Sequence, residues 1–480
     1  MRNETITFRN AFLDQERAPQ EKAALVFLLL SWLISGLGAA TPLADSVLGK
    51  LLLLLPPFII SVVLTLHRPS DGFTLWSLAI GFMVTQTGYQ LAIQDARLSA
   101  LEVTLVFLLV FLMWYRRRTQ DAGLPDFRLP GLRLLQLFVV YSFVMLAVSL
   151  IRGVRPLATI IEFKGFVLYP FIPYVMVFGL RSAKLVRWAV ALVVGWFIYV
   201  AGKGLVEFRG FELANTAGDL FRSSGDYASI NTYGVTLLAV ALLVFGIAIY
   251  STSLGMRVLL FGATLWLFLG AITSVARTVW VAGAAGVLML LTNRDKRHYG
   301  LIVLIVGLAI FLLLPGEVSG RLNQLSDSST IKREQYLRAG LLAWQARPLT
   351  GWGWGVSFYY VGAGIIPGAD GIAWYHNDYL ILASQTGLLG LALYLGYWIC
   401  TMVASLRWQP QSDASPFLGY IRGAQMALAA LLVAAFFEHV LWKPDIAGLV
   451  GWMSGLMLTC MYLDRQPDPD QVWETESTFV

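Results

Sequence analysis

The stretch Trp374-Tyr375-His376-Asn377-Asp378-Tyr379-Leu380 sets an imidazole, a carboxamide and a carboxylate side by side. It stands where a long apolar run begins, one that continues through Gln385-Thr386-Gly387. The chain has only four histidines, so one at such a boundary is a candidate for proton transfer. An unperturbed imidazole titrates near ~6.5 and accepts a proton around neutral pH. As a general base His376 would take the proton of an attacking hydroxyl, help typically worth ~100–10,000-fold. Asn377 and Asp378 would orient the ring or bind sugar hydroxyls. The alternative is a span-capping histidine bonded to a loop carbonyl.

Other separated stretches carry cations of the right chemistry for an anionic ligand. They are Arg222 in FRSSGDYASIN, Arg277 in TSVARTVW, and Lys332, Arg333, Arg338 and Arg347 between 331 and 347. Guanidinium is planar, permanently charged and matches two phosphate oxygens at once. Several arginines at a membrane boundary suit a ligand with a phosphate head and an apolar tail, such as a polyprenyl diphosphate sugar. They also suit snorkelling to lipid phosphates. Asp219, Asp226, Asp327, Glu334, Asp370 and Asp378 form no DxD pair, so the expectation is no metal and no cofactor, with arginines neutralising the leaving diphosphate. Trp352 and Trp354, in the glycine-rich turn PLTGWGWG, are candidate glycan contacts, and the remaining aromatics read as an interfacial belt.

The elements that must position these groups are membrane helices. The chain has 480 residues, of which 57% are hydrophobic and 13% charged. Its mean hydropathy is +0.68. Soluble domains run near a quarter charged. Lipid offers backbone groups no partner, so runs near twenty residues must be helices rather than strands. The fold class expected is all-α: a polytopic membrane bundle of about fourteen transmembrane helices. The spans centre on 24–44, 47–66, 73–93, 98–115, 133–151, 162–180, 186–207, 230–251, 255–275, 278–292, 299–315, 378–402, 416–437 and 445–463. Arg116–Arg118, Arg128, Arg133, Arg181, Lys184, Arg187, Arg294, Lys296 and Arg297 fall in loops on the side of the N-terminal tail. By the positive-inside rule that side is cytoplasmic, and both termini lie there. The mixed-charge tail 1–22 is a poor signal-peptide start, so the first span is expected to be retained. The two cysteines, Cys400 and Cys460, lie near the cytoplasmic face, where a structural disulfide is not expected. The net charge of +6 reflects those inner loops, not nucleic-acid binding.

The outer side carries the long segments 208–229 and 316–377. In the second, Ser328, Ser329 and Thr330 offer N-cap oxygens, and Ile331 to Ala346 is helical in pattern. Arg347 before Pro348 favours a stop there. A helix on the outer membrane surface is expected, then a loop back to His376. The layout is a cytoplasmic tail 1–22, N-terminal helices 23–207, an outward-facing region 208–377 with intervening helices over 230–315, C-terminal helices 378–463 and a cytoplasmic tail 464–480.

ARPLTGWGWG followed by WYHNDYLILASQTGLLG resembles the O-antigen ligase and Wzy-type polymerase superfamily, with its Pro-Leu-x-Gly-x-Gly turn, His-Asn-x-x-Leu and Glu-x-Gly-x-x-Gly. FRSSGDYASINTYG resembles its Arg-x-x-Gly and Asn-x-x-Gly stretch, and TSVARTVWVAG its Ser-x-x-Arg segment. The likeness covers about 222–390. It implies a membrane glycosyltransferase of the bacterial inner membrane, with its active site facing the periplasm. It implies an undecaprenyl diphosphate glycan donor, no metal, and inversion at the anomeric carbon. The essential arginines map onto Arg222 and Arg277 and the histidine onto His376, with Arg338 and Arg347 as further donor-binding candidates. Gln385 stands where the family often has Glu, which removes a charge just inside the span.

The partners expected are the lipid-linked donor, an acceptor that is either a second lipid-linked glycan or lipid A core, and membrane lipids. The length of the chain and of its outer loop leans toward a polymerase, with a ligase as the alternative. A transporter or flippase of lipid-linked sugar is the reading from another class. It would expect charges within spans, broken helices or repeats. Lys164 and Lys203 are the only candidates for such charges, and Lys164 could instead reach the diphosphate. Glu438-His439, in FFEHVLWKPD, reads first as an interfacial cap and second as support for the site.

Overall fold

A computed structural model describes Ser31 and residues 47–85, 90–93, 96–119, 129–154, 156–212, 230–274, 276–292, 296–313, 328–355, 375–412 and 415–465. These residues are helical apart from one short antiparallel hairpin, β1 (Gln90–Ile93) and β2 (Ala96–Ser99). The helices are α1 (Val47–His67), α2 (Pro69–Thr85), α3 (Ala100–Thr119), α4 (Leu132–Ile151), α5 (Pro156–Leu168), α6 (Ile172–Gly179), α7 (Ala183–Glu212) and α8 (Ile230–Tyr250). They continue as α9 (Leu254–Ile272), α10 (Arg277–Leu291), α11 (Arg297–Leu313), α12 (Ser328–Ala346), α13 (Asp378–Arg407), α14 (Leu418–Ala434) and α15 (Pro444–Asp464).

Among the described residues seven helical stretches are long and apolar enough to cross a membrane, and four shorter apolar helices accompany them. The expected span 24–44 lies outside the described residues apart from Ser31. Within the expected span 73–93, α2 is described as far as Thr85, and Gln90–Ile93 is the strand β1, paired with β2. The expected span 162–180 is the apolar stretch Thr159–Gly179, one of those seven, kinked where the 3-10 turn Tyr169–Phe171 joins α5 to α6. Pro170 and Pro173 lack the amide hydrogens an unbroken helix would use.

α8 is apolar on every face and buried along nearly its whole length, so it forms the bundle's centre. It packs against α9, α10 and α14. At its crossing with α14, a Cβ on Gly246 would lie 2.3 Å from the Gly423 Cα, so only glycine permits that approach. The outward faces carry exposed Leu137, Val140 and Val144 on α4 and Val258 and Leu265 on α9, surface that suits lipid rather than water.

One polar knot fixes the N-terminal helices. The Ser99 side chain accepts from the Glu102 amide at 3.2 Å, and Glu102 accepts from the Ser99 amide at 2.9 Å, a reciprocal cap at the start of α3. The same carboxylate takes Lys164 at 2.5 Å and the Tyr169 hydroxyl at 2.8 Å. Lys164 is therefore buried and paired with Glu102.

Candidate active site

His376 precedes α13, with a backbone φ of +48°, a left-handed conformation that few residues with a side chain adopt. Asn377 follows as the N-cap, its side-chain oxygen accepting from the Leu380 amide at 3.0 Å. The turn throws the imidazole sideways, against two rings. Tyr336 of α12 stacks on it at 5.7 Å and 17°, and His439 at 4.9 Å and 27°. Nδ1 is sealed from solvent, and Glu438 Oε2 lies 3.5 Å from it. The His376 side chain is 32% exposed, so that exposure belongs to the opposite edge of the ring, which carries Nε2.

Glu438 sits in the bend between α14 and α15 and is itself buried. Its Oε1 receives Arg333 Nη2 of α12 at 2.8 Å and the Asn231 amide of α8. Burial pushes the carboxyl up, but the hydrogen bond to His376 and the charge of Arg333 outweigh it and bring Glu438 below its ordinary value. Burial drives His439 well below the usual histidine value, with Lys443 and His376 adding to the effect, so it is neutral. The bend is clamped to α13. Asp378 accepts from the Val440 and Leu441 amides at 2.5 and 2.6 Å, and its own amide donates to the Ala435 carbonyl at 2.9 Å. Asp378 Oδ1 also lies 3.3 Å from His439 Nδ1.

Behind this cluster, two glycine motifs interlock. α13 breaks at Gly387, where φ is +68° and ψ −173°. The break strands backbone groups of Ser384, Gln385 and Leu388 in an apolar region, where each must find a protein partner. The turn 348–353 supplies the partners: Trp352 and Gly353 donate to the Ser384 and Gln385 carbonyls at 2.9 and 2.8 Å, and Leu388 donates to the Pro348 carbonyl at 2.8 Å. Gly351 and Gly353 also have positive φ, and a Cβ on Gly351 would lie 2.4 Å from the Gln385 carbonyl oxygen. The buried Glu162 carboxylate of α5 accepts from the Gly355 amide at 3.0 Å and from the Gln385 side chain. Tyr141 closes the clasp from α4, its hydroxyl donating to the Thr386 carbonyl at 3.0 Å.

Of the candidates named from sequence, the structure gathers some and separates others. Arg222 lies outside the described residues. Arg277 opens α10 and is half-buried. Ser274, just before it, packs against Gly234, one turn along α8 from the Asn231 that holds Glu438. Arg277 thus begins at the same end of the bundle as His376. Asp378 does not reach His376 and is fully buried, so it neither orients that ring directly nor meets a sugar; it orients the bend and His439. Asn377 uses its side-chain oxygen as a cap.

Trp354 is also removed from the glycan-contact set. It is 0% exposed, packs edge-on against Phe138 and Phe163, and donates to the Ser142 carbonyl at 3.0 Å. Trp352 keeps a half-exposed face, with the Arg347 guanidinium 4.2 Å above its ring and its indole nitrogen donating to the Ala343 carbonyl at 2.8 Å. Arg338 is exposed and pairs with Glu334 one turn back at 2.8 Å. Around His376, Arg333 was named only as one of several cations and Glu438 first as an interfacial cap, while Tyr336 and Asn231 were not singled out as site residues. The signals available were the Asn-x-x-Gly pattern at 231–234 and the second histidine at 439.

A comparison with curated proteins finds no match to the chain. Residues 239–395 match the family model described as O-antigen ligase. The matched stretch includes Arg277, His376 and both glycine motifs, while Asn231 and Glu438 lie outside it. Over those residues the chain is similar to the O-antigen ligase family, which supports its likeness to the O-antigen ligase and Wzy-type superfamily.

Proposed function

We propose that this chain is a bacterial inner-membrane glycosyltransferase. It moves a glycan from an undecaprenyl diphosphate donor to a sugar hydroxyl, with inversion and without a metal. The observation that carries the reading is the His376 imidazole. One nitrogen is buried against a carboxylate and the other edge is open, at the bundle end that also bears Arg277 and Arg333. In the step proposed, the acceptor hydroxyl oxygen bonds to the anomeric carbon as its proton passes to His376 Nε2. The bond from that carbon to the phosphate oxygen breaks, and its electron pair leaves with the diphosphate. Arg222 and Arg277 neutralise that charge, with Arg338 and Arg347 as outer contacts and Trp352 beneath the glycan. The proton then leaves His376 for solvent or for the departing diphosphate.

The loop charges orient the site toward the periplasm and both termini toward the cytoplasm, across about fourteen spans. A polymerase extends one lipid-linked glycan with another, and a ligase delivers it to lipid A core. Chain length and the long outer segments favour the polymerase, and the description of the matching family names the ligase. The transport reading draws on the break in α13 and the charges buried among the spans. Both are closed on protein groups, the break on the turn 348–353 and Lys164 on Glu102, which favours an enzyme over a pathway.

The test is purified protein in vesicles with a fluorescent lipid-linked glycan, offered either more donor or lipid A core. Release of free undecaprenyl diphosphate with a lengthened glycan supports the polymerase, and glycosylated core supports the ligase. Intact donor appearing in the opposite leaflet would refute transfer.

A further inference from the structure

Glu438 sits 62 residues beyond the histidine and outside the stretch that matches the family model. Nothing in its immediate sequence ties it to His376. Yet the bend carrying it is tied to the first residue of α13 three times, through the Asp378 carboxylate to Val440 and Leu441 and through the Asp378 amide to Ala435. His376 stands two residues before that anchor. The carboxylate and the imidazole are therefore fixed relative to one another by backbone hydrogen bonds, not by a chance side-chain approach. Such a clamp exceeds what an interfacial cap requires.

The two carboxylate oxygens are divided between two tasks. Oε1 is held by Arg333 from α12 and Asn231 from α8, and Oε2 faces His376 Nδ1 at 3.5 Å. Among the described residues Nδ1 has no hydrogen-bond partner and no solvent, and the Glu438 carboxylate is the ionic group it faces. A buried ring nitrogen facing a carboxylate carries the hydrogen, since two facing acceptors would repel. The proton on Nδ1 leaves Nε2, on the exposed edge, with its lone pair free. That is the tautomer a general base needs.

We infer that Glu438 is a positioning residue for glycan transfer: it fixes the tautomer and angle of His376 and stabilises the imidazolium formed when Nε2 takes the acceptor's proton. The inference rests on the reading of His376 as the base. In the step, the hydroxyl hydrogen becomes the Nε2 hydrogen, Nδ1 keeps its own, and the positive charge is shared with the carboxylate across the Nδ1 side. Nothing passes to Glu438, which stays ionised. Arg333 and Asn231 keep it from swinging away, and Arg333 couples the arrangement to the position of α12.

The experiment is steady-state transfer with Glu438→Gln and Glu438→Asp in the full-length protein, alongside His376→Ala. An interaction made only as charge develops on the ring lowers kcat and leaves KM alone. A glutamine turned to offer its amide hydrogens to Nδ1 selects the opposite tautomer, with the hydrogen on Nε2. Glu438→Gln is expected to lower kcat at least tenfold, within the ~100–10,000-fold that a general base supplies, with the donor KM within about threefold of wild type. Glu438→Asp, which keeps the charge but withdraws it by one methylene, falls between. Wild-type kcat in Glu438→Gln, equal losses in the two variants, or a loss confined to KM overturns the inference. If Glu438→Gln does not fold, Glu438→Asp decides: reduced kcat at unchanged KM supports the role, and wild-type kcat refutes it. His376→Ala separates the two claims. Activity surviving in His376→Ala removes the base itself, whereas an inactive His376→Ala beside a fully active Glu438→Gln removes only the positioning role.

Discussion

Gly351→Ala tests the clasp that holds the His376 helix in place. Gly351 has φ +69°, and an alanine there carries the left-handed cost of roughly 1–2 kcal/mol. Its Cβ would also stand 2.4 Å from the Gln385 carbonyl oxygen and 2.5 Å from the Gly387 amide nitrogen. Those are backbone atoms, so the turn must move off α13. Moving it loosens the Trp352–Ser384 and Gly353–Gln385 hydrogen bonds, each worth about 1 kcal/mol. The combined effect is about 3–4 kcal/mol, more if no water reaches the freed groups. Gly195→Ala is the matched control. That glycine lies within α7 with nothing within 4 Å of its would-be Cβ, so alanine there is neutral or stabilising by roughly 0.5–1 kcal/mol. Tryptophan fluorescence on heating in detergent reads both. Gly351→Ala is expected to melt well below wild type and Gly195→Ala at or above it. A Gly351→Ala protein that melts with wild type would refute the clasp.

Further outcomes follow from the site. His439 is buried and held neutral, while the unfolded chain's imidazole takes a proton near ~6.5. The unfolded state then binds more protons, so stability is full above that pH and falls as pH drops below it; melting temperatures that are flat from pH 7.5 to 5.5 would contradict this. Arg277→Lys and Arg222→Lys are expected to weaken donor binding at least tenfold, because lysine lacks the two-pronged geometry; equilibrium binding of a labelled donor at wild-type affinity would count against the diphosphate role. Transfer is expected to persist in EDTA after dialysis, and loss restored by a divalent cation would overturn the metal-free mechanism.

Much of the fold was legible because lipid enforces it. The apolar runs expected at 230–251, 255–275 and 445–463 are the helices Ile230–Tyr250, Leu254–Ile272 and Pro444–Asp464. The helix expected over 331–346 is Ser328–Ala346, so the residues offered as caps lie within its first turn. Hydropathy could not show the 3-10 turn Tyr169–Phe171 within an apolar run, since that turn is apolar too. The site was legible only in part, for a geometric reason. Asp378 is two residues from His376 in sequence, but the N-cap turn between them sends the two side chains to different neighbours. Glu438, far away in sequence, is brought back by the hydrogen bonds that tie its bend to Asp378. Trp354 and Trp352 look alike in PLTGWGWG, and only the handedness of the glycine turn decides which one is buried. The two glycine motifs were each visible, but their interlocking was not, because it is made of backbone hydrogen bonds that no residue type announces.

The account rests most heavily on His376 as the group that accepts the acceptor's proton. Single-turnover transfer from a labelled lipid-linked glycan, run with His376→Ala and with wild type at matched donor occupancy, tests that most directly. The expected result is full donor binding with transfer slowed by at least ~100-fold. Transfer by His376→Ala within a few-fold of wild type would contradict it.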